Sequence, residues 1–385
     1  MTAQPEDSRP LKELLACGQS YWLDNLTRHM IVGGELSRWI RELGLRGITA
    51  NPTTFRDALT SNEYDRDIES MAREGRLTKD IFEELLISDV QAACDLLLGI
   101  YRETDGLDGY VSLEVSPHLA YDGEGTMEEA RRYVGRVNRP NLLIKIPATE
   151  NGIPAIEQML FEGIGINITL LFSIPSYQAV IEAYLSALER RVTDGQPLQQ
   201  IVSVASFFVS RIDVLVDQLL QRRIPIKDGD RQPLAARLRG CAAVANAKLA
   251  YRTFRQAFNS DRWARLEAHD ARVQRPLWAS TGTKNPDYRD VVYVESLIGR
   301  DTVNTMPEST LRAFADHGRV VPDAVEAELE EAERVMFELE KTGINFNCVT
   351  WQLEHEGVQK FVDAYDAAVA ALDKKCSRFR LEQTA

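Results

Sequence analysis

One lysine, Lys145, lies in a stretch of sequence where its amine could act as a buried nucleophile. Lys145 interrupts the apolar run of residues 141–149, which is typical of a strand buried on both faces. Burial disfavours the charged form of an amine, so a lysine held in such a strand can act as a neutral nucleophile near neutral pH. Attack on a ketone or aldehyde gives a Schiff base, the intermediate of aldolase-type carbon–carbon chemistry. The alternative is a lysine at a strand end whose amine reaches water.

Polar residues also stand at or near the ends of most other predicted strands. Capping of the following helix is a structural alternative for Asp24, Asn51 and Ser280. Glu114 fits that alternative less well, because Val115 follows it before the strand has clearly ended. Taken with a buried lysine, the group indicates an active site. Its members are Asp24, Asn51, Glu114, Lys145, Asn167, Thr169, Ser206 and Ser280.

These residues need a scaffold that brings strand ends together. Eight predicted strands alternate with helical patterns, and no hairpin turn joins one predicted strand directly to the next. The pattern predicts an α/β fold, a (β/α)8 TIM barrel with extra helices, in which catalytic groups gather at the carboxyl ends of the strands. An open, doubly wound sheet is the alternative. The predicted strands are residues 20–24, 47–51, 110–115, 141–149, 164–172, 201–206, 276–280 and 301–305.

The predicted domain organisation is one barrel domain spanning residues 1–385. A long segment separates the sixth and seventh strands, and it includes a helical pattern at 233–258. We interpret about 214–275 as a helical insertion in the same domain, because no Pro/Gly/Ser-rich linker flanks it. Additional helices are predicted after the last strand, at 307–316, 322–341 and 350–373.

Composition and charge exclude several classes of protein. The net charge of −13 and the lack of a basic stripe argue against a nucleic-acid partner. The polar N-terminus lacks the apolar core of a signal peptide, and no apolar run approaches membrane-spanning length. We therefore expect no membrane partner and a cytoplasmic location. The five cysteines and five histidines are scattered, so neither a zinc site nor a disulfide framework is expected.

Seven stretches of the chain together resemble the transaldolase family, in its longer bacterial branch. The likeness runs from about Gln19 to Val362, and the stretches occur in the family's order. They are WLDNL (22–26), GITANPTTF (47–55), VSLEVSP (111–117), IKIPATENG (144–152), NITLLFS (167–173), ASFFVSR (205–211) and WASTGTKN (278–285).

The resemblance implies a reaction on sugar phosphates. A dihydroxyacetone unit would pass from sedoheptulose 7-phosphate to glyceraldehyde 3-phosphate, giving erythrose 4-phosphate and fructose 6-phosphate in the non-oxidative pentose phosphate pathway. No metal or organic cofactor is implied, because the lysine itself accepts the electron pair. A monomer and a homodimer both remain open.

The resemblance also implies roles for four catalytic residues. Lys145 matches the Schiff-base lysine, and Asp24 matches the acid that exchanges a proton with the C4 hydroxyl. Glu114 and Thr169 match the pair that holds a water for imine formation and hydrolysis. Positioned carboxylates are suited to such general acid–base work.

The implied substrate-binding residues divide between the sugar and its phosphate. Arg211 matches the phosphate-binding arginine, whose guanidinium fork suits a phosphate. Lys284 is assigned to the phosphate by position alone, and its alternative is a solvated loop lysine. The full set is Asn51 and Asn167 for the dihydroxyacetone hydroxyls, Ser206 and Phe208 for the pocket wall, and Arg211, Ser280 and Lys284 for the phosphate.

Two other functions compete with this interpretation. A fructose 6-phosphate aldolase on the same scaffold would release free dihydroxyacetone, but Glu114 favours transfer over simple cleavage. A catalytically silent barrel could bind sugar phosphates without turning them over. The presence of Lys145, Asp24 and Glu114 together argues against that second possibility.

Overall fold

Eight parallel strands close into a barrel in the computed structural model, which describes residues 9–50, 52–222 and 231–384. Each strand pairs with its neighbours in chain order, and β1 pairs with β8 to close the ring. The strands are β1 Gln19–Asp24, β2 Gly47–Thr49, β3 Tyr110–Glu114, β4 Leu142–Pro147, β5 Ile166–Leu171, β6 Ser203–Phe208, β7 Arg275–Ala279 and β8 Thr302–Met306. The predicted TIM barrel is confirmed, and the open doubly wound sheet is wrong.

Most strand ends differ from the prediction by one or two residues, and strand pairing explains the difference at the sixth strand. The sixth strand was predicted at 201–206 but extends to Phe208, because Phe207 and Phe208 pair with Trp278 and Ala279 of β7. The second strand ends at Thr49, two residues earlier than predicted. The barrel interior and the space beneath its helices form one large hydrophobic core.

Helices surround the barrel on all sides. Before the sixth strand they are α1 Arg9–Ala16, α2 Arg28–Val32, α3 Glu35–Arg38, α4 Pro52–Thr60, α5 Asp65–Arg73, α6 Thr78–Glu103, α7 Gly123–Val137, α8 Gly152–Phe161 and α9 Ile174–Thr193. A π-helical turn, Trp39–Leu43, extends α3 and ends at Gly44, whose φ of 82° allows it to cap the C-terminus of the turn. After the sixth strand they are α10 Ser210–Gln221, α11 Arg231–Arg237, α12 Ala242–Ala257, α13 Asp261–Glu267, α14 Val292–Glu295, α15 Glu308–His317, α16 Leu329–Lys341 and α17 Phe346–Thr384.

Among the described residues, the connection between β6 and β7 contains four helices, α10 to α13. Two buried carboxylates of α10 hold it to its neighbours. Asp213 accepts hydrogen bonds from the Ala243 N–H and the Tyr293 hydroxyl, both at 2.8 Å. Asp217 accepts one from the Tyr288 hydroxyl at 2.6 Å. Since both tyrosines follow β7, these bonds fix α10 relative to the loop beyond the seventh strand.

The last helix, α17, is longer than predicted. It was predicted at 350–373 and runs from Phe346 to Thr384. Buried Ala368, Leu372, Cys376 and Phe379 recur every three or four residues and pack in a second hydrophobic cluster with α4, α5 and α6. Its earlier turns pack against α10 and β5, which places this helix over the carboxyl ends of the strands.

Candidate active site

Lys145 and Glu114 form a buried ion pair inside the barrel. The two residues are directly opposite each other in the pairing of β3 with β4, and the Lys145 Nζ donates a hydrogen bond to the Glu114 Oε2 at 3.3 Å. Lys145 is only 5% exposed. The alternative in which the amine reaches bulk water is therefore wrong, and the strand pattern around Lys145 predicted its burial correctly.

Burial changes the acidity of Glu114. Loss of solvent raises the pKa of this carboxyl above its ordinary value, although the neighbouring Lys145 opposes that shift. A carboxyl whose pKa is raised above its ordinary value takes up a proton more readily and is suited to general acid–base work. The pair thus places a nucleophilic amine beside a group suited to proton transfer.

Asp24 supplies a second carboxylate at the mouth. It is the last residue of β1, and its Oδ1 accepts a hydrogen bond from the Thr49 hydroxyl at 3.0 Å. The Thr49 hydroxyl also lies 3.2 Å from that of Thr305 at the end of β8. The negative charge of Asp24 contributes to the raised pKa of Glu114, so the two carboxyls sense each other electrostatically.

A chain of buried polar groups crosses from β6 to β3. The Ser206 hydroxyl donates to the Asn167 Oδ1 at 2.6 Å, and the Asn167 Nδ2 donates to the Ser112 hydroxyl at 2.9 Å. These bonds fix the orientation of the Asn167 amide. Two residues further along β5, the fully buried Thr169 hydroxyl has no hydrogen-bond partner among the described residues. An unpaired buried hydroxyl is costly, so Thr169 is suited to a water or a ligand.

Arg211 marks the cationic end of the site. It lies in the first turn of α10, with its Cζ 5.1 Å from the centroid of the Phe208 ring. Within the described residues, its buried Nη1 has no hydrogen-bond partner. Burial lowers the pKa of this guanidinium, yet arginine remains charged in proteins. A buried, incompletely bonded guanidinium is suited to an anionic group on a ligand.

Ser280 and Lys284 lie on the loop after β7, on the same side of the mouth. Ser280 has a φ of 56°, and its hydroxyl lies 3.1 Å from the hydroxyl of Ser210 at the start of α10. Lys284 is exposed four residues later. The loop and the α10 helix therefore present cationic and hydroxyl groups from two sides.

These groups converge on one cavity of about 240 Å³. A larger surface groove of about 1150 Å³ lies between α7 and α8, but no predicted site residue lines it. The cavity is lined by Asp24, Thr49, Lys145, Ser206, Phe208, Arg211, Ala279, Ser280, Gly282, Lys284, Thr305, Pro307 and Phe361.

The cavity includes most of the predicted site residues and others that the prediction missed. Glu114, Asn167 and Thr169 are not among its lining residues, but Glu114 bonds to Lys145 and Asn167 bonds to Ser206. Asn51 falls outside the described residues.

Six lining residues were missed: Thr49, Ala279, Gly282, Thr305, Pro307 and Phe361. Thr49 is the last residue of β2 and Thr305 is the penultimate residue of β8, so a search for polar residues near strand ends could have found them. Phe361 lies on α17, and no local signal in the sequence indicates that this helix returns to the mouth.

The described residues provide few alternatives for other kinds of site. None of the helices they form is long and apolar enough to span a bilayer. Within the same residues, no group of three or more His, Cys, Asp and Glu side chains is arranged to hold a metal ion.

Fold and site together define a class: (β/α)8-barrel enzymes that carry a buried lysine and carboxyl groups at the mouth of the barrel. Sequence comparison narrows that class. The sequence model of the family described as Transaldolase/Fructose-6-phosphate aldolase matches residues 21–372, and the chain belongs to this family.

Similar proteins agree with the family. The chain is 45% identical over 371 residues to Transaldolase 2 of Nostoc sp. (strain PCC 7120 / SAG 25.82 / UTEX 2576), covering 95% of this chain and 97% of that protein. It is 46% identical over 363 residues to a transaldolase of Mycobacterium tuberculosis, covering 94% and 95%. The expected membership of the transaldolase family is confirmed, and with it the expectation that the chain is a transaldolase.

Proposed function

We propose that this transaldolase moves a dihydroxyacetone unit from sedoheptulose 7-phosphate to glyceraldehyde 3-phosphate, giving erythrose 4-phosphate and fructose 6-phosphate. Family membership supports the reaction class. The single observation that carries the mechanism is the buried contact of 3.3 Å between Glu114 and the amine of Lys145, which lines the same cavity as Arg211 and Lys284. In this role the enzyme serves the non-oxidative pentose phosphate pathway.

The first proposed step is Schiff-base formation on Lys145. Its amine attacks the C2 carbonyl of the ketose, and loss of water leaves a protonated imine. Glu114, whose pKa is raised by burial, exchanges protons with that leaving water. The unpaired Thr169 hydroxyl supports a role in holding the same water.

The second proposed step is cleavage of the C3–C4 bond. Asp24 takes the proton of the C4 hydroxyl, C4 becomes an aldehyde, and the bonding electron pair moves toward the imine to form an enamine. The acceptor aldehyde then replaces the product aldehyde. C3 of the enamine attacks it, Asp24 returns the proton, and hydrolysis of the new imine frees Lys145. The lysine accepts the electron pair throughout, so the mechanism needs no metal or organic cofactor.

The remaining residues are proposed to bind and orient the sugar. Asn167, whose amide accepts a hydrogen bond of 2.6 Å from the pocket-lining Ser206, faces the dihydroxyacetone hydroxyls. Asn51 is proposed for the same role from its place in the family motif. Phe208 contributes a wall, and the phosphate is proposed to contact the buried guanidinium of Arg211. Ser280 and Lys284 line the same cavity and are proposed to contact the phosphate as well.

A coupled assay tests this function against its two competitors. A transaldolase forms erythrose 4-phosphate from sedoheptulose 7-phosphate only when glyceraldehyde 3-phosphate is present. A fructose 6-phosphate aldolase turns over without an acceptor, and a silent sugar-phosphate-binding barrel gives no product under either condition. Steady turnover without acceptor, or no turnover with it, would refute the proposal.

We also propose that the chain forms one domain with the helices of about 214–275 as an insertion, and that it acts in the cytoplasm on small sugar phosphates. The net charge of −13 supports the lack of a nucleic-acid partner. Its state as a monomer or homodimer is open to measurement by light scattering.

A further inference from the structure

One side chain that lines the cavity has no part in the proposed mechanism. Phe361 of α17 lines it and is 8% exposed. The centroid of its ring lies 5.7 Å from the Lys145 Nζ and 5.9 Å from the Arg211 Cζ. One apolar ring therefore lies close both to the amine that would carry the imine and to the guanidinium proposed for the phosphate.

Packing on both sides of Phe361 holds α17 in this place. One turn earlier, a Cβ added at Gly357 would lie 2.8 Å from a methyl group of Leu170 on β5, so the helix backbone rests directly on the barrel. One turn later, the Tyr365 ring packs edge-to-face against Phe82 at 5.0 Å. Because both adjacent turns are fixed, the Phe361 ring is held over the mouth by the fold itself.

We propose that Phe361 is a positioning residue that keeps water from the intermediate on Lys145, and so determines how often the enzyme transfers its three-carbon unit instead of losing it. This inference rests on the proposed function. The ring carries no group that could exchange a proton, so it acts by excluding water and by its position over the amine.

The step that Phe361 suppresses is hydrolytic loss of the intermediate. In that loss, C3 of the enamine takes a proton and forms a new C–H bond, which restores the protonated imine. Water then attacks C2 and gives up a proton, and the C2–N bond breaks with its electron pair going to nitrogen. The products are free dihydroxyacetone and the free amine of Lys145, so the net reaction consumes one water. Transfer avoids this loss only while the enamine waits for an aldehyde in a site without mobile water.

The experiment measures a ratio of two rates in the same protein. With fructose 6-phosphate as donor, steady formation of dihydroxyacetone without acceptor reports loss, and formation of sedoheptulose 7-phosphate with added erythrose 4-phosphate reports transfer. We expect Phe361→Ala to raise the ratio of loss to transfer by about tenfold. Phe361→Leu, which keeps much of the apolar volume, should raise it less but measurably.

Phe379→Ala is the matched control. It truncates a phenylalanine of the same helix that is 6% exposed but lies in the second hydrophobic cluster. Its ratio should equal that of the wild type even if its melting temperature falls. An unchanged ratio in Phe361→Ala, or an equal rise in Phe379→Ala, would overturn the inference. If Phe361→Ala does not fold, an unchanged ratio in Phe361→Leu overturns it. A wild-type enzyme that makes no sedoheptulose 7-phosphate would instead refute the proposed function.

Discussion

Two buried ion pairs lie at opposite ends of the same barrel. Arg275, the first residue of β7, pairs with Asp108 at 3.1 Å, and Lys145 pairs with Glu114 at 3.3 Å near the mouth. The side chains of the first pair are each 6% exposed, and those of the second are each 7% exposed. Distance and burial therefore do not separate them.

Their other hydrogen bonds do separate them. Besides Asp108, Arg275 donates to the Ser20 hydroxyl and the Thr302 carbonyl at 2.7 Å each, and to the Leu107 carbonyl at 3.2 Å. Ser20 in turn donates to Asp108 at 2.7 Å. Only the Nε of Arg275 has no partner within the described part of the chain. This network holds three strands and a loop together.

The pair at the mouth is bonded much more sparsely. Among the described residues, the Lys145 amine donates one hydrogen bond, to Glu114, and nearby groups on Thr169 and Arg211 have no partner. Unsatisfied buried groups are expensive, and functional sites are where proteins retain them. The comparison indicates a structural role for Arg275, whose hydrogen bonds are nearly complete, and supports the proposed catalytic role of Lys145, whose hydrogen bonds are few.

The largest effects are expected from two substitutions that each break one of the buried ion pairs. Arg275→Ala should lower the free energy of unfolding by about 3–5 kcal/mol, because it leaves a buried carboxylate unpaired. Lys145→Ala should abolish transfer activity while the protein stays folded, because Glu114 can take up a proton when its partner is lost. Urea unfolding and the coupled transfer assay measure the two effects.

The control for that prediction is Arg131→Ala, which removes an ion pair with Glu162 on the surface. It should change neither stability nor activity appreciably. If Lys145→Ala destabilises the protein as strongly as Arg275→Ala and Arg275→Ala abolishes the activity of folded protein, the distinction between the two ends is wrong.

The next largest effect is expected at the two carboxyl groups near the barrel mouth, Asp24 and Glu114. Asp24→Ala should still form the Schiff base but fail to break the C3–C4 bond, whereas Glu114→Ala should slow formation of the imine. Loss of a positioned acid or base typically costs about 10²–10⁴-fold in rate. Single-turnover trapping of the imine, compared with the rate of aldehyde release, separates the two steps. Equal trapping rates in both variants would contradict this division.

A smaller effect is expected at the phosphate end. Arg211→Ala should raise KM for phosphorylated sugars by about tenfold or more, because a hydrogen bond to a charged group is worth about 1.5–3 kcal/mol. Lys284→Ala should act in the same direction but more weakly, because Lys284 is exposed. Unphosphorylated fructose is the reference donor. Equal impairment of fructose by Arg211→Ala would mean that Arg211 supports the mouth structurally.

The smallest effect concerns the buried carboxyl of Asp213 on α10. Burial raises the pKa of Asp213 to about 7, and its hydrogen-bond donors, Ala243 and Tyr293, are neutral. The folded state then binds a proton that the unfolded chain has already released, so this group's stabilising contribution falls as pH rises from about 4 to about 7. The melting temperature of wild type relative to Asp213→Asn should fall over that range and then level off. A difference independent of pH would contradict the prediction.

Much of the barrel could be predicted from sequence because its signals are local. Apolar runs and alternating helices indicate the strands, and Lys145 stands out because it interrupts one of those runs. The end of β6 was missed, because Phe207 and Phe208 extend the strand only through pairing with β7. The structural role of Arg275 was also missed, because its hydrogen-bond partners come from segments far apart in the chain.

The contribution of α17 to the site could not be predicted from the sequence. Phe361 belongs to a helix whose existence was predicted, but its role depends on where that helix docks. Docking is determined by tertiary contacts such as those of Gly357 and Tyr365, which no local pattern reports. The helix was also expected to end at 373, whereas a buried face continues to Phe379.

The central claim is that Lys145 carries the covalent intermediate. Borohydride added with fructose 6-phosphate should reduce the imine to a stable secondary amine, and peptide mass spectrometry should locate the adduct on Lys145. Lys248 is the internal control for this labelling, because it is also buried but donates a hydrogen bond to the Ala327 carbonyl at 2.7 Å. The account predicts an adduct on Lys145 and none on Lys248, whereas an adduct on any other lysine, or none, would contradict it.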